Sequence, residues 1–242
     1  MSFKPVNDPR PRQTTVDLYT QGDYLANNPT WGVEDSAWKA EKIATLFAKH
    51  KLNLSKVCEI GCGAGEILRQ LSIRFPQTYF SGYEVSPQAF TLCESRASTN
   101  VQFFLRDVLD ETETFDAALC IDVFEHVEDY FGFLRRLKAK ATYKVFHIPL
   151  DVSVLSIFRS SMMTARTRLG HLHYFSRETA LATLQDCGYE ILDWSYTTGF
   201  VDLPSKSLSA SLARLPRRVV HALSADLNAK LLGGSSLLVL AK

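Results

Sequence analysis

Apolar and polar positions switch between two periods along this chain. Glu34, Asp35 and Ser36 give acid and cap character to a helix start, and Ile43, Leu46, Phe47 and His50 follow at helical spacing. Lys56–Ile60 is a short strand. Glu66–Phe75 is a helix with Ile67, Leu68, Leu71 and Phe75 on one face, stopped by Pro76. Tyr79–Glu84 is a second strand, and Pro87 opens a helix at a position that tolerates proline. Val101–Leu105 and Phe115–Ile121 are the third and fourth strands. Tyr130–Ala139 is a helix carrying Phe131, Phe133, Leu134 and Leu137, and Tyr143–Ile148 is a fifth strand ended by Pro149. Residues 150–172 are apolar but irregular and predict a helix or lid. Ser176 starts a helix that Gly188 ends, Tyr189–Tyr196 is a sixth strand, residues 204–230 are helical, and Ser235–Ala241 is a last strand. Such alternation predicts an α/β fold, a doubly wound parallel sheet with helices on both faces.

Composition narrows the picture. With 242 residues the chain can bury a core without disulfides or metals. A formal net charge of +1 gives no general attraction to nucleic acid or anionic lipid. The five cysteines are odd in number and form no CxxC pair, so buried thiols in a reducing compartment are expected, with no bound metal. Residues 1–16 carry three prolines and read as a loose arm without signal-peptide character. No apolar run approaches the ~20 residues of a membrane helix. A cytoplasmic protein without a membrane or nucleic-acid partner follows as the expectation.

The chemistry concentrates at strand ends. The first strand runs into Glu59-Ile60-Gly61-Cys62-Gly63-Ala64-Gly65 and then a helix, a tight turn that lets a ligand touch backbone. The second strand ends in Glu84, nineteen residues after Gly65, where a carboxylate can accept hydrogen bonds from both hydroxyls of a ribose. The third ends in Arg106-Asp107-Val108, an acceptor for a base amino group, and the fourth in Asp122-Val123-Phe124. Glu66 stands where a dinucleotide site needs its third glycine, and an acid there opposes a pyrophosphate. Glu59 adds negative charge. Both suit a ligand bearing an ammonium and a sulfonium.

Val57–Gly65 resembles motif I of the class I S-adenosylmethionine-dependent methyltransferases. Gly82-Tyr83-Glu84-Val85-Ser86 is similar to their ribose-binding motif, Arg106-Asp107-Val108 to their adenine motif, and Phe115-Asp116 through Asp122-Val123-Phe124-Glu125-His126-Val127 to the fourth motif of small-molecule members. His171-Leu172-His173-Tyr174-Phe175-Ser176 before a helix resembles those enzymes too. The resemblance implies a Rossmann-like seven-stranded sheet, mostly parallel, with the last strand antiparallel beside the fifth. It implies a cofactor site of Glu59, Gly61, Cys62, Gly63, Gly65, Glu84, Val85, Asp107, Val108, Asp122 and Val123, and conversion of S-adenosylmethionine to S-adenosylhomocysteine. The stretch from Tyr24 to Trp31 is similar to extensions of bacterial methyltransferases that modify glycans or sugars, which suggests that Tyr24 and Trp31 fold over the cofactor.

The expected division is an N-terminal arm and helix over residues 1–50, covering the cofactor site, and a methyltransferase domain over 51–242. Residues 150–175 and 204–232 are then lid or substrate insertions. Histidine is the favoured general base near neutral pH. His126, His171 and His173 are the catalytic candidates, with Tyr174 a further substrate contact and His147 assigned to the core or rim. Arg214, Arg217 and Arg218 with His221 read as a solvated basic run or a site for an anionic substrate such as a nucleotide sugar. The expected reaction is methylation of a small-molecule acceptor, a sugar or glycan precursor among them, by a monomer or homodimer. The alternatives are a nucleic-acid or protein methyltransferase and a non-catalytic cofactor-binding module. No Pro-Cys nucleophile and no Asn/Asp-Pro-Pro-aromatic run supports a DNA enzyme.

Overall fold

The computed structural model describes residues 28–204 and 208–242, so Tyr24 and the N-terminal arm lie outside the described residues. Seven strands form one sheet: β1 (Lys56–Ile60), β2 (Tyr79–Glu84), β3 (Val101–Leu105), β4 (Phe115–Ile121), β5 (Ala141–Pro149), β6 (Ile191–Thr197) and β7 (Ser236–Ala241), in the order β3-β2-β1-β4-β5-β7-β6. β1 pairs in parallel with β2 and β4, and β2 with β3 and β4 with β5 likewise. β7 inserts antiparallel between β5 and β6, as expected. Chain order reverses at β1, so the carboxyl ends of β1 and β4 flank the crevice where such sheets bind ligands.

Alternate side chains of the strands serve opposite faces, because the strand period is two. Val57, Phe80, Leu119 and Val145 pack under α1 (Val33–Lys49) and α2 (Glu66–Arg74) with Ile43, Phe47, Leu68 and Leu71. Cys58, Cys120 and Phe146 face the other way, toward Leu134 of α4 (Tyr130–Lys138) and Leu184 of α7 (Arg177–Asp186). Cys58 and Cys120 are both fully buried, where a thiol behaves as a small hydrophobe. The short α3 (Pro87–Cys93) is capped by Ser86, whose hydroxyl accepts from the Ala89 N–H.

Several boundaries differ from those read in the sequence. α1 begins at Val33 because Gly32, at φ 75°, supplies the left-handed entry, while Ser36 sits inside the helix and bonds to the Gly32 carbonyl at 3.2 Å. β6 starts two residues late. Tyr189 is drawn into the core instead, its hydroxyl donating to the Leu134 carbonyl at 2.6 Å. The irregular stretch after β5 forms α5 (Val154–Phe158) and α6 (Ser161–Arg168), divided at Ser160 with φ 52°. After β6 come α8 (Gly199–Asp202), α9 (Leu208–Leu223) and α10 (Ala225–Leu231). The single helix expected there is cut by Ser224, whose hydroxyl caps α10 at the Leu227 N–H.

Candidate active site

The glycine turn follows directly from β1. Gly63 and Gly65 have φ of 54° and 75°, a region that costs any residue with a Cβ. A Cβ on Gly65 would lie 2.5 Å from the Phe103 ring, so the turn packs tightly on β3. Glu84 reaches this turn from the end of β2. Its Oε2 accepts from the Gly63 N–H at 2.9 Å, and its Oε1 from the Val85 and Ser86 N–H groups at 2.8 Å each. Burial pushes the Glu84 carboxyl up, and these three backbone donors oppose that shift. Asp107 Oδ1 accepts from the Leu109 N–H at 2.8 Å and fixes the short turn containing Val108. A Cβ on Gly61 would approach Val123 to 3.0 Å, which ties the turns after β1 and β4 together.

Glu59 is 2% exposed, and its Oε2 has no hydrogen-bond partner. Burial holds its pKa well above the carboxylate range, with Lys39 opposing. Glu66 behaves differently. Arg69 and Arg96 grip its carboxylate at 2.7–2.9 Å and, with Gln70, bring its pKa down to about 2. The negative charge expected to face a phosphate at this helix start is therefore spent on two guanidinium groups.

Trp31 lies across the turn: a Cβ on Gly63 would sit 2.7 Å from its Cδ1. Asp122 follows β4 with φ 54°, a strained backbone of the kind found at functional sites. One of its oxygens lies 2.6 Å from His147 Nδ1, and the other receives Lys39 Nζ of α1 at 2.8 Å. Burial would raise the Asp122 pKa, but His147 and Lys39 together hold it far below the carboxylate range. Lys39 also pairs with Asp35 at 3.0 Å, and its pKa stays above the ordinary lysine value despite burial. His147 Nε2 lies 2.8 Å from Thr197 Oγ1, and Trp38 meets the same ring edge-on. His147 is therefore no mere rim residue, since it links Asp122 to β6.

The three candidate histidines lie on the turn after β4 and the loop before α7. The N–H groups of Leu172 and His173 donate to the Glu125 carbonyl at 2.8 and 3.1 Å, which pins the loop before α7 to the turn after β4. The rings of His126 and His171 then stand 4.9 Å apart, edge to face. His171 Nδ1 lies 2.6 Å from Asp151 Oδ2. Burial, reinforced by His171, lowers the His126 pKa to about 4, which makes it a feeble base at neutral pH. His173 bonds through Nε2 to the Val127 carbonyl at 3.0 Å, and its ring packs against Tyr130 at an angle of 49°. Tyr174 has a buried hydroxyl without a partner. The basic run is committed elsewhere: Arg214, Arg217 and Arg218 donate to the carbonyls of Leu203, Leu232 and Phe200.

Lys39, Glu125, Asp151 and Thr197 were not singled out from sequence. The Asp35–Lys39 spacing of four is visible as a helical ion pair, but its extension to Asp122 is not. Glu125 and Asp151 carried a signal, each being an acid just past an apolar strand.

A family model described as a methyltransferase domain matches residues 35–193. The malonyl-[acyl-carrier protein] O-methyltransferase of Bacillus anthracis is 27% identical over 99 residues, covering 39% of this chain and 37% of that protein. The match thus spans little more than a third of that relative's length. In fold the chain is similar to the N-methyltransferase NodS of Bradyrhizobium japonicum WM9, solved with S-adenosylhomocysteine (TM-score 0.59, 18% identity, 95% of this chain and 98% of that one). It is also similar to the magnesium protoporphyrin IX methyltransferase of Synechocystis PCC 6803 (TM-score 0.56, 16% identity, 85% and 81%). No described helix is long and apolar enough to cross a membrane. With motif I, an acid after β2 and an acid after β3 at their places on this sheet, the chain belongs to the class I S-adenosylmethionine-dependent methyltransferases.

Proposed function

We propose that this protein transfers a methyl group from S-adenosylmethionine to a small-molecule acceptor of the sugar or glycan-precursor class. The observation that carries the reading is the place of Glu59, Glu84, Asp107 and Asp122 at or just past the carboxyl ends of four neighbouring strands, with Glu84 bonded to the Gly63 N–H of the glycine turn. Glu84 takes the ribose hydroxyls, Asp107 the adenine amino group, and Val85 and Val108 flank the base. The paired Asp122 brings a carboxylate to the end of β4, and the unpartnered Glu59 oxygen is left to accept from the ammonium. Gly61, Cys62, Gly63, Gly65 and Val123 shape the wall, and Trp31 covers it.

The acceptor enters from the side of His126, His171, His173 and Tyr174, with residues 150–175 and 204–232 as the lid or substrate insertions. Residues 150–175 and 204–232 hold eight lysines and arginines against two acids, Asp151 and Asp226, and Arg214, Arg217 and Arg218 keep their charge while bonded to backbone carbonyls, a balance that favours an anionic acceptor such as a nucleotide sugar. An acceptor atom attacks the methyl carbon in line with sulfur, the C–S bond breaks, and its electron pair stays on the neutral thioether. Because the donor is already activated, alignment at about 3–3.5 Å supplies much of the rate.

Calorimetry with S-adenosylhomocysteine tests the cofactor half. Micromolar binding is expected, with Glu84→Ala and Asp107→Ala each weakening it by about 1.5–3 kcal/mol, the worth of a hydrogen bond to a charged group. NAD should give no heat. Unchanged affinity in both variants would overturn the site.

A further inference from the structure

One carboxylate remains without an electrostatic explanation. Glu125 is fully buried, and neither Oε1 nor Oε2 accepts a hydrogen bond. Burial, added to by Asp122, holds its pKa well above the ordinary value. A solitary buried acid is costly unless something compensates it. No lysine or arginine pairs with it among the described residues; Asp122 and Asp151 add negative charge nearby, and the side chains that approach it are imidazoles. His126 Nε2 lies 3.8 Å from Glu125 Oε1, and one ligand atom each from Glu125, His126 and His171 lie within 4.8 Å of one another.

We infer that Glu125, His126 and His171 bind a divalent first-row transition-metal ion, whose remaining positions take a hydroxyl oxygen of the methyl acceptor. Two imidazoles and one carboxylate suit Zn2+, Fe2+ or Mn2+ and leave coordination open. The groups behind these ligands fit as well. Asp151 holds Nδ1 of His171 at 2.6 Å, which fixes the ring and leaves Nε2 for the ion, the carboxylate–histidine–metal arrangement. The His126 ring is anchored to the backbone of Gly170. Ligand atoms around tetrahedral zinc stand about 3.4 Å apart, so the three side chains need close by only about an ångström. The His126 side chain keeps 16% exposure, so the cluster is not wholly sealed from solvent. The three ligands come from the turn after β4 and the loop before α7.

The inference rests on the proposed function for the acceptor and extends it. A metal-held hydroxyl loses its proton to solvent water more readily. The new C–O bond then forms as the C–S bond breaks, and neither histidine has to act as a base.

The test begins with protein stripped by a chelator and titrated with ZnCl2 alone, then with CoCl2 read by its visible absorption. One equivalent of each ion should bind, Zn2+ with micromolar affinity or tighter, and Zn2+ should raise the melting temperature. Glu125→Gln keeps the shape of the side chain and removes its charge. It should melt no lower than the stripped parent, yet lose at least tenfold in Zn2+ affinity and the cobalt spectrum. His171→Ala should do the same to the metal signals, and Asp151→Asn should weaken Zn2+ binding about 10–100-fold. No stoichiometric binding by the parent chain, or equal binding by Glu125→Gln and His171→Ala, overturns the site. S-adenosylhomocysteine binding, measured on the same samples, separates this failure from failure of the proposed function: retained cofactor heat without metal binding removes the ion alone.

Discussion

After β1 and β2 the chain turns on its own backbone, whereas after β4 and β5 it turns on side chains brought from distant segments. Glu84 is held by three N–H groups, of Gly63, Val85 and Ser86, all within two short turns. Asp122 is held by Lys39 from α1 and His147 from β5, and His171 by Asp151 twenty residues upstream. The first region is closed over by the sheet, with Phe103 against Gly65. The second is roofed by short helices that leave Phe158 84% and Leu223 80% exposed. A backbone-built turn tolerates little change and presents the same donors to the same ligand. A side-chain-built wall can be rewritten residue by residue, which is what a family with one cofactor and many acceptors requires.

The largest effect should come from the backbone-built half. Gly65→Val puts a β-branched residue at φ 75° and drives its Cβ within 2.5 Å of Phe103. Left-handed strain and overpacking together predict a loss of roughly 3–5 kcal/mol in denaturant unfolding. A loss under about 1 kcal/mol would mean that the turn is as pliable as the acceptor side, and the contrast would fail.

Next is a pH effect on the acceptor side, measured on metal-free protein. The His126 pKa falls to about 4 in the folded chain from an ordinary 6.5, so the unfolded chain takes up the proton first. The stability due to the neutral ring is complete above pH 6.5 and disappears as pH falls toward 4, by roughly 3 kcal/mol. His126→Asn should flatten that limb relative to the parent. Parallel curves over this interval would show that the ring is not desolvated as described.

The order in which these regions could be read from sequence follows the same division. Six strands are close to their expected bounds and the antiparallel β7 lies where the resemblance put it, because strand period and glycine turns are local signals. Tyr189 shows the limit: its apolar ring belongs to the strand pattern, but the Leu134 carbonyl recruits its hydroxyl and the strand starts later. Glu66 was legible as an acid at a helix start, yet its pairing with Arg96, thirty residues away, was not. The Lys39–Asp122–His147–Thr197 chain joins α1, the β4 turn, β5 and β6, and no single window contains it.

A third experiment breaks the link between those elements. Asp122→Asn leaves Lys39, 14% exposed, with only Asp35 as a partner. Removing one member of a buried pair costs about 3–5 kcal/mol, and partial exposure of Asp122 reduces this to about 2 kcal/mol. Lys39→Met in the same background should recover part of the loss, since it removes the stranded charge. If the double variant is no more stable than Asp122→Asn, the two side chains do not interact in solution.

The smallest effect belongs to the roof. Phe158 ends α5 with its ring almost wholly in solvent, so little apolar area is lost when Phe158→Ser is made. Surface substitutions of this kind usually change stability by less than about 0.5 kcal/mol, which for a domain of this size shifts the melting temperature by about 1–2 °C. Retention on a phenyl matrix should fall nonetheless, because that ring is the most exposed large apolar side chain among the described residues. A destabilisation several times larger would require the ring to be covered in the folded protein, and the acceptor side would then be as tightly enclosed as the glycine turn.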